Sequence, residues 1–506
     1  MPETINKQVT SDGKQAVRKS VELSPDAEEA LKSALTAGYV INPGDQVDGQ
    51  ALKLESLDQD IKNLTYGSND FTILPDLLNL GVTQARSTVE QYVQFLKHGK
   101  VGHQIFQPEI GIGSVNSPDM KKQRVNLKFL VDVKQASFAI QVAATVEDAQ
   151  KINEEDAMVV IGKTIEWATF FGDADLTAGE NGDGLEFDGL EKLIPASRHL
   201  DLRGGSLTPE VLNKAAVLIG KGFGVATDAY MPIGVKADFG NQFLGAQRVI
   251  VPTNDGTTAG VNVDHFLSAR GNIRLNGSTI MDADDLLDES ETINPKAPAA
   301  PTVTAKVNTN AGGQWSATAL TTDQGAEIQP AEVGNEFSYK VVAVGHDGDS
   351  LPSDAVTATP ANATDGVELD ISLSAMQREI PDYVAIYRQS IVDGDENYYL
   401  IDRVASREIN DAGVISFVDL NATMAGSSRI FVGELRHNVI DLMQFIPMSK
   451  INLAVVTTAT SFAVLTSVAL RLSIPNRWVE IHNVRYNNMF DNHMEGVNLK
   501  AFVGNK

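Results

Sequence analysis

Residues 145–172 read TVEDAQKINEEDAMVVIGKTIEWATFFG, and this stretch decides the fold. Thr145 followed by Asp148 has the form of a capping box, and Glu147 and Asp148 sit where a helix dipole favours acids. Gly172 supplies a left-handed stop, so the segment predicts one uninterrupted helix. About 26 helical residues span roughly 40 Å, more than a small domain is wide. Ala149, Ile152, Val159, Val160 and Ile165 form an apolar stripe, which Trp167, Phe170 and Phe171 widen at its C-terminal end. Something must lie along that stripe.

What precedes the helix is also extended. Val125, Leu127, Phe129, Val131 and Val133 alternate with Asn126, Lys128, Leu130, Asp132 and Lys134, the period of a long strand. Its expected partner is the segment at 102–115, joined through the turn residues of NSPDMKKQ. Pro108 and three glycines make that partner an exposed edge. A two-stranded ribbon is not stable alone in water, so it needs a surface. Further upstream, residues 76–98 read as helix interrupted at Gly81, and residues 1–45 as a polar arm carrying a short helix from Pro25 to Gly38. Arm, ribbon and overlong helix cannot all bury their apolar sides within one domain, and neighbouring copies would supply the missing surface.

The chain has 506 residues, 42% hydrophobic and 21% charged, which suits two to four soluble globular domains. Its formal net charge of −25, with no dense Lys/Arg cluster, argues against a broad nucleic-acid-binding surface. The absence of cysteine excludes disulfides and thiolate chemistry. The polar start lacks the apolar segment of a signal peptide, so synthesis for the cytoplasm is expected. The uncharged run at 451–470 has the length of a membrane helix, but its threonines, serines and β-branched residues assign it to buried strands.

After the helix comes the acidic, glycine-rich stretch DADLTAGENGDGLEFDGLEKLI, then a capped helix at 208–220, a strand at 224–233, a helix at 235–244 and short strands at 249–252 and 273–281. This is α+β. At 294–303, NPKAPAAPTV marks a linker. Strands are then expected at 314–320, 338–344, 367–373, 383–389, 398–404 and 416–420, spaced as in a β-sandwich. The α+β pattern resumes at RHNVIDLMQFIPMSK, which makes the sandwich an insert.

No catalytic, cofactor-binding or metal site is predicted, and the chain reads as a non-enzyme. Gly162-Lys163-Thr164 imitates the end of a phosphate loop, but Ala157 stands where its first glycine belongs and the triplet lies mid-helix. Gly220, Gly222 and Gly224 suit a tight turn. The acids from Asp173 to Glu191 lack EF-hand spacing at Thr177 and Ala178. His98 with His103 and His482 with His493 are too loosely spaced to hold a metal.

This order of elements resembles the major capsid protein of tailed bacteriophages, the shell fold shared with the herpesvirus capsid floor and encapsulins. LEFDGLEKLI at 185–194, GVATDAYMPIGVKADFGNQFL at 224–244 and FIPMSKINLAVVTTATSFAVLTSVALRLSIPNRWVEIHNV at 445–484 look like segments of that family, notably in large contractile-tailed phages of Gram-positive hosts. Within the insert, FSYKVVAVGHDGDSLPS at 337–353 is similar to late strands of a fibronectin type III or immunoglobulin-like domain, with the strand order permuted or atypical.

The resemblance implies a division of the chain: an N-terminal arm over 1–60, a helical segment over 61–97, an extended hairpin loop over 98–144 and a peripheral domain with the spine helix over 145–194. It continues with a first part of the axial domain over 195–293, an inserted immunoglobulin-like domain over 294–425, and return strands with a C-terminal tail over 426–506. It implies self-assembly into hexamers and pentamers of an icosahedral head shell around double-stranded DNA, held without sequence-specific contact. Portal, scaffold and possibly decoration proteins would be the other partners, with no membrane and no cofactor. The insert would face outward. The resemblance also raises a propeptide cut near Val21-Glu22-Leu23 and cross-linking through Lys121, Lys122 or Lys128, although lysines there are expected for solubility alone. An encapsulin-type compartment with cargo, or a surface or glycan-binding protein using the sandwich, are the alternative readings.

Overall fold

In the computed structural model the long helix runs Ala149–Phe171. The structure describes residues 70–98, 105–106, 109–111, 117–138, 149–177, 184–243, 263–283, 286–287, 296–321, 327–346, 348–373, 381–391, 397–410, 413–454 and 459–485, and the backbone of short strands at 5–9, 15–19, 39–42, 45–47, 250–253 and 256–259. The chain divides into two compact units, Met1–Lys62 and Asn63–Lys506. In the first, Ile5–Val9 pairs with Gln15–Lys19, and Tyr39–Asn42 with Asp45–Val47, both antiparallel. The expected arm helix and cut site lie outside the described residues, as does the Thr145 cap.

The second unit is built on two sheets. The first has four strands in the order Thr83–Gln84, Ile440–Asn452, Ala459–Leu472 and Lys128–Ser137. The long helix lies on one of its faces. Ala157, Ile161, Ile165, Ala168 and Phe170 meet Phe462, Val464, Val468 and Leu470 in one core. Burying side chains the size of Ile161, Ile165 and Phe170 contributes about 1.5–3 kcal/mol each. The buried line therefore runs through the C-terminal half of the helix, while Ile152 is exposed and Val159 and Val160 are half-buried. Gly162, from the phosphate-loop imitation, has a packing role: a Cβ there would stand 2.8 Å from the Phe71 ring.

The second sheet has six strands in the order His265–Ser268, Gly271–Ser278, Asp228–Pro232, Ser428–Gly433, Trp478–Val484 and His199–Asp201. Helices Pro209–Lys221 and Ile233–Asn241 bury Leu212, Ala216, Ile219, Val235 and Phe239 against it. The first of these starts where Thr208 caps it, with Pro209 at the first helical position, whose missing N–H costs nothing there. Residues 451–452 and 459–470 of the uncharged run lie in the two long strands of the first sheet. No helix among the described residues is long and apolar enough to cross a membrane.

Residues 302–419 form two facing sheets around their own core. One sheet joins Thr302–Asn308, Gly366–Ser372 and Val414–Asp419; the other joins Gly348–Asp349, Phe337–Gly345, Tyr383–Gln389 and Tyr398–Ala405, with Val356–Ala358 also on Phe337–Gly345. Val303, Leu369, Ile371 and Ile415 face Tyr339, Val341, Ile386 and Ile401. The unit leaves the six-stranded sheet after Gly271–Ser278 and returns through Ser428–Gly433, strands separated by one neighbour, so an insertion here leaves the host sheet intact.

Three expectations are corrected. Residues 89–97, read as helix, are a strand, Val89–Lys97, because the helix before them stops at Leu80 with Gly81 at φ 96°. That strand pairs antiparallel with Asp119–Asn126 to form the ribbon, and most of 102–115 lies outside the described residues. The alternating stretch after Leu127 leaves the ribbon and pairs with Ala459–Leu472 as an edge of the first sheet. Residues 314–319 form no strand, since the chain turns inward there to bury Trp315, whose Nε1 donates to the Asp365 carbonyl at 2.7 Å.

Candidate assembly surface

The strand Lys128–Ser137 is amphipathic in an unusual sense. Its polar alternate faces the long helix. Lys134 pairs with Asp156 of that helix at 2.7 Å and with Asp132 at 3.3 Å, and Lys128 donates to the Gly184 carbonyl. These bonds satisfy the cations where the helix excludes part of the water. Two strands away in the same sheet, Lys450 pairs with Glu154 and lies 4.8 Å from the Phe462 ring centroid.

The apolar alternate faces away from the helix. Phe129, Val131 and Val133 are each more than half exposed. In register, Val131 lies opposite Leu465 and Val133 opposite Ala463, which is itself opposite Ile451. Directly paired residues share a face, so Phe129, Val131, Val133, Leu465 and Ile451 form one apolar surface. The ribbon adds exposed Val93, Phe95 and Met120, and the segment beyond it exposed Phe106 and Ile110. Scattered exposed apolar residues are ordinary, but a stripe of this kind on a sheet face marks an interface. At its base the ribbon is tied down: Tyr92 Oη donates to the Leu472 carbonyl at 3.4 Å and Gln94 Nε2 to that of Ser473 at 2.9 Å.

The remaining polar groups fasten elements together. Glu166, fully buried on the long helix, accepts from the Thr72 backbone N–H at 2.8 and 3.0 Å, from Thr72 Oγ1 at 2.8 Å and from the Leu74 N–H at 3.4 Å. It thus caps helix Ile73–Leu80 across 94 residues of sequence. Burial pushes its carboxyl above the usual range, against the opposing pull of the Thr72 hydrogen bonds. A lone acid within IEWATFF was the available sequence signal.

Lys192 sits among Asp173, Asp175 at 2.6 Å and Asp188 at 3.1 Å, so a cation of the protein itself occupies the acidic loop. A cavity beside the first helix is lined by Asp76, Lys236, Asp264 and Arg274, and its charges are likewise taken up: Arg274 reaches Asp76 at 2.5 Å and Asp228 at 2.8 Å. Among the described residues no group of three or more His, Asp or Glu is placed to hold a metal ion. His482 stands 3.7 Å from Asp201 and packs edge-on against the His199 ring; His103 and His493 lie outside the described residues.

The β-unit is docked on its host by directed bonds. Arg403 Nη2 donates to the Phe171 carbonyl at 2.7 Å, at the C-terminal end of the long helix, and its guanidinium lies 5.3 Å from the Trp167 ring. A cation there also meets the negative end of the helix dipole. At the other contact, Arg203 donates to the Asn421 carbonyl at 2.8 Å, while Asn483 Nδ2 donates to Asp201 at 2.9 Å and to the Ala422 carbonyl at 2.8 Å. Inside the unit, Arg388 is fully buried against Asp419 at 2.5 Å and Asn421 at 2.7 Å.

The chain is 43% identical over 460 residues to the major capsid protein of Staphylococcus phage S25-3, covering 91% of this chain and 95% of that one. The same identity and coverage hold for the major capsid protein of Staphylococcus phage K. A putative major capsid protein of Enterococcus phage phiEF24C is 41% identical over 468 residues, with 92% and 96% covered. No family model matches. Among solved structures, the capsid of cyanophage P-SCSP1u superposes with a TM-score of 0.41 at 9% identity, over 91% of this chain and 99% of that one.

Proposed function

The chain belongs to the bacteriophage major capsid proteins, and from that premise we propose that its copies tile the shell as hexamers and pentamers, each laying its ribbon over the apolar sheet face of the next. It is a structural protein of the virion capsid and acts by self-association. The observation that carries the reading is the stripe Phe129, Val131 and Val133, each more than half exposed in one chain beside the half-buried Leu465, and matched by exposed Val93, Phe95 and Met120 on the ribbon. Each such side chain contributes about 1.5–3 kcal/mol when buried, against association costs of several kcal/mol, so a few contacts repeated around a shell suffice.

In this reading the extended loop, expected at 98–144, is carried by Val89–Lys97 and Asp119–Asn126. The long helix is the spine of the peripheral domain, and the six-stranded sheet is the axial domain. Residues 302–419 are an immunoglobulin-like insert on the outer surface. Its attachment one strand apart on the host sheet supports an appended unit. Double-stranded DNA fills the interior without sequence-specific contact, consistent with the net charge of −25. Portal, scaffold and decoration proteins complete the particle.

Electron microscopy of the purified full chain tests the reading: closed shells or capsomers are expected. A persistent monomer by light scattering at high concentration would overturn it.

A further inference from the structure

Helix Pro209–Lys221 ends in a Schellman motif: the Phe223 N–H donates to the Gly220 carbonyl at 3.0 Å and the Gly224 N–H to that of Ile219 at 3.0 Å. The residue between Gly222 and Gly224 must then adopt a left-handed backbone, and Phe223 does so at φ 61°. Glycine is the usual occupant, because a Cβ there meets the following carbonyl and a bulky residue is a marked outlier. Strain of this kind is normally compensated by packing, yet Phe223 is 85% exposed. Among the described residues the phenyl ring has no such compensation.

The same helix presents Lys214, Val217 and Lys221 at spacings of three and four, one exposed face that leads to Phe223. An apolar ring beside two lysines complements an acidic surface, and a chain of net charge −25 carries an excess of acidic residues on every copy. We propose that Phe223 is an anchor between subunits, inserted into a second copy of this chain and steered there by Lys214 and Lys221. The proposal rests on the self-association described above and adds a contact separate from the ribbon and the sheet face.

Phe223→Gly tests it with little risk of misfolding, since glycine is what the motif prefers. Full-length chains would be followed in two ways: thermal unfolding of dissociated subunits, and light scattering over a dilution series. The anchor predicts that the variant's subunits unfold higher than wild type, by about 1 °C for a chain of this size. It also predicts that the concentration needed for association rises roughly tenfold or more, as for a buried aromatic hot spot. Unchanged association would overturn the proposal, and so would a lower unfolding temperature, which would show that the ring stabilises its own subunit. A wild-type chain that never associates would instead remove the shell reading, and the anchor with it.

Discussion

Glu166 holds Thr72 through both carboxylate oxygens, one at 2.8 Å and one at 3.0 Å from the same backbone N–H, and so joins the long helix to the start of another 94 residues earlier. Alanine at 166 would leave the buried N–H groups of Thr72 and Leu74 without an acceptor, at about 1–3 kcal/mol each. Glu166→Ala is therefore expected to lower subunit stability by roughly 2–4 kcal/mol in urea unfolding, and Glu166→Gln by about half as much. A loss under 1 kcal/mol for the alanine variant would show that water replaces the cap.

The same carboxyl sets a pH dependence. Because burial raises its folded pKa, the native state binds the proton more tightly than the unfolded chain does. Its contribution to stability is fully present below the unfolded value and falls as pH rises through the folded one. The stability of wild type relative to Glu166→Gln should accordingly improve on acidification towards the usual carboxylate range. A difference that is flat with pH would contradict the assignment.

Asp201 has the opposite sign. Burial alone would raise it, but His482, Asn483 and the Arg203 backbone N–H outweigh that and hold its carboxyl down at about 2. The stabilisation is present above the ordinary value of 3.8 and is lost as pH falls through about 2. Asp201→Asn should flatten the urea midpoint between pH 4 and pH 2, and an unchanged acid limb would argue against the shift.

Core and surface positions of the long helix separate cleanly. Ile165 is 4% exposed, whereas Val159 is half-buried. An aspartate at 165 would be an unpaired buried charge, costing more than about 4 kcal/mol, and should prevent folding. Val159→Asp should fold with a smaller loss. Circular dichroism and solubility of the two variants check this, and equal behaviour would refute the assigned burial.

The helix was legible because its stop is local, with the apolar run FF just before Gly172, although Gly172 is not left-handed as expected: it lets the chain pass close, since a Cβ there would stand 2.4 Å from the Phe187 carbonyl oxygen. The strands Phe337–Gly345, Gly366–Ser372 and Tyr383–Gln389 were legible for the same reason, each carrying its own period. What failed was the sign of exposure. Val89, Val93 and Leu96 are spaced three and four apart and imitate a helical face, yet all three are exposed on a strand of the ribbon. In the proposed function their apolar character serves a neighbouring copy, which intrachain patterning does not encode. The partnership of Glu166 with Thr72 was equally hidden, since no local rule links residues 94 apart.

That mismatch gives the sharpest test of the sheet face. Val131 is 57% exposed, so Val131→Glu should cost the isolated subunit less than about 0.5 kcal/mol. The same change places a charge among Phe129, Val133 and Leu465, where an apolar partner surface would have to desolvate it. Association followed by light scattering should weaken by at least about tenfold. A variant that assembles like wild type would leave this face without a partner.

Arg403 decides how firmly the β-unit is held. Its bond to the Phe171 carbonyl and its approach to Trp167 join the unit to the end of the long helix, with Glu191 a further 3.8 Å contact. In wild type these bonds should make unit and host melt together. Arg403→Ala removes a charge-assisted hydrogen bond worth about 1.5–3 kcal/mol and a cation over a ring worth about 1 kcal/mol. The core around Leu369 and Ile386 does not depend on Arg403, so the unit itself should stay folded. Calorimetry of the variant should then resolve two transitions where wild type gives one. A single transition merely moved to lower temperature would mean that the remaining junction, Arg203 with Asn421 and Asn483 with Ala422, carries the coupling alone.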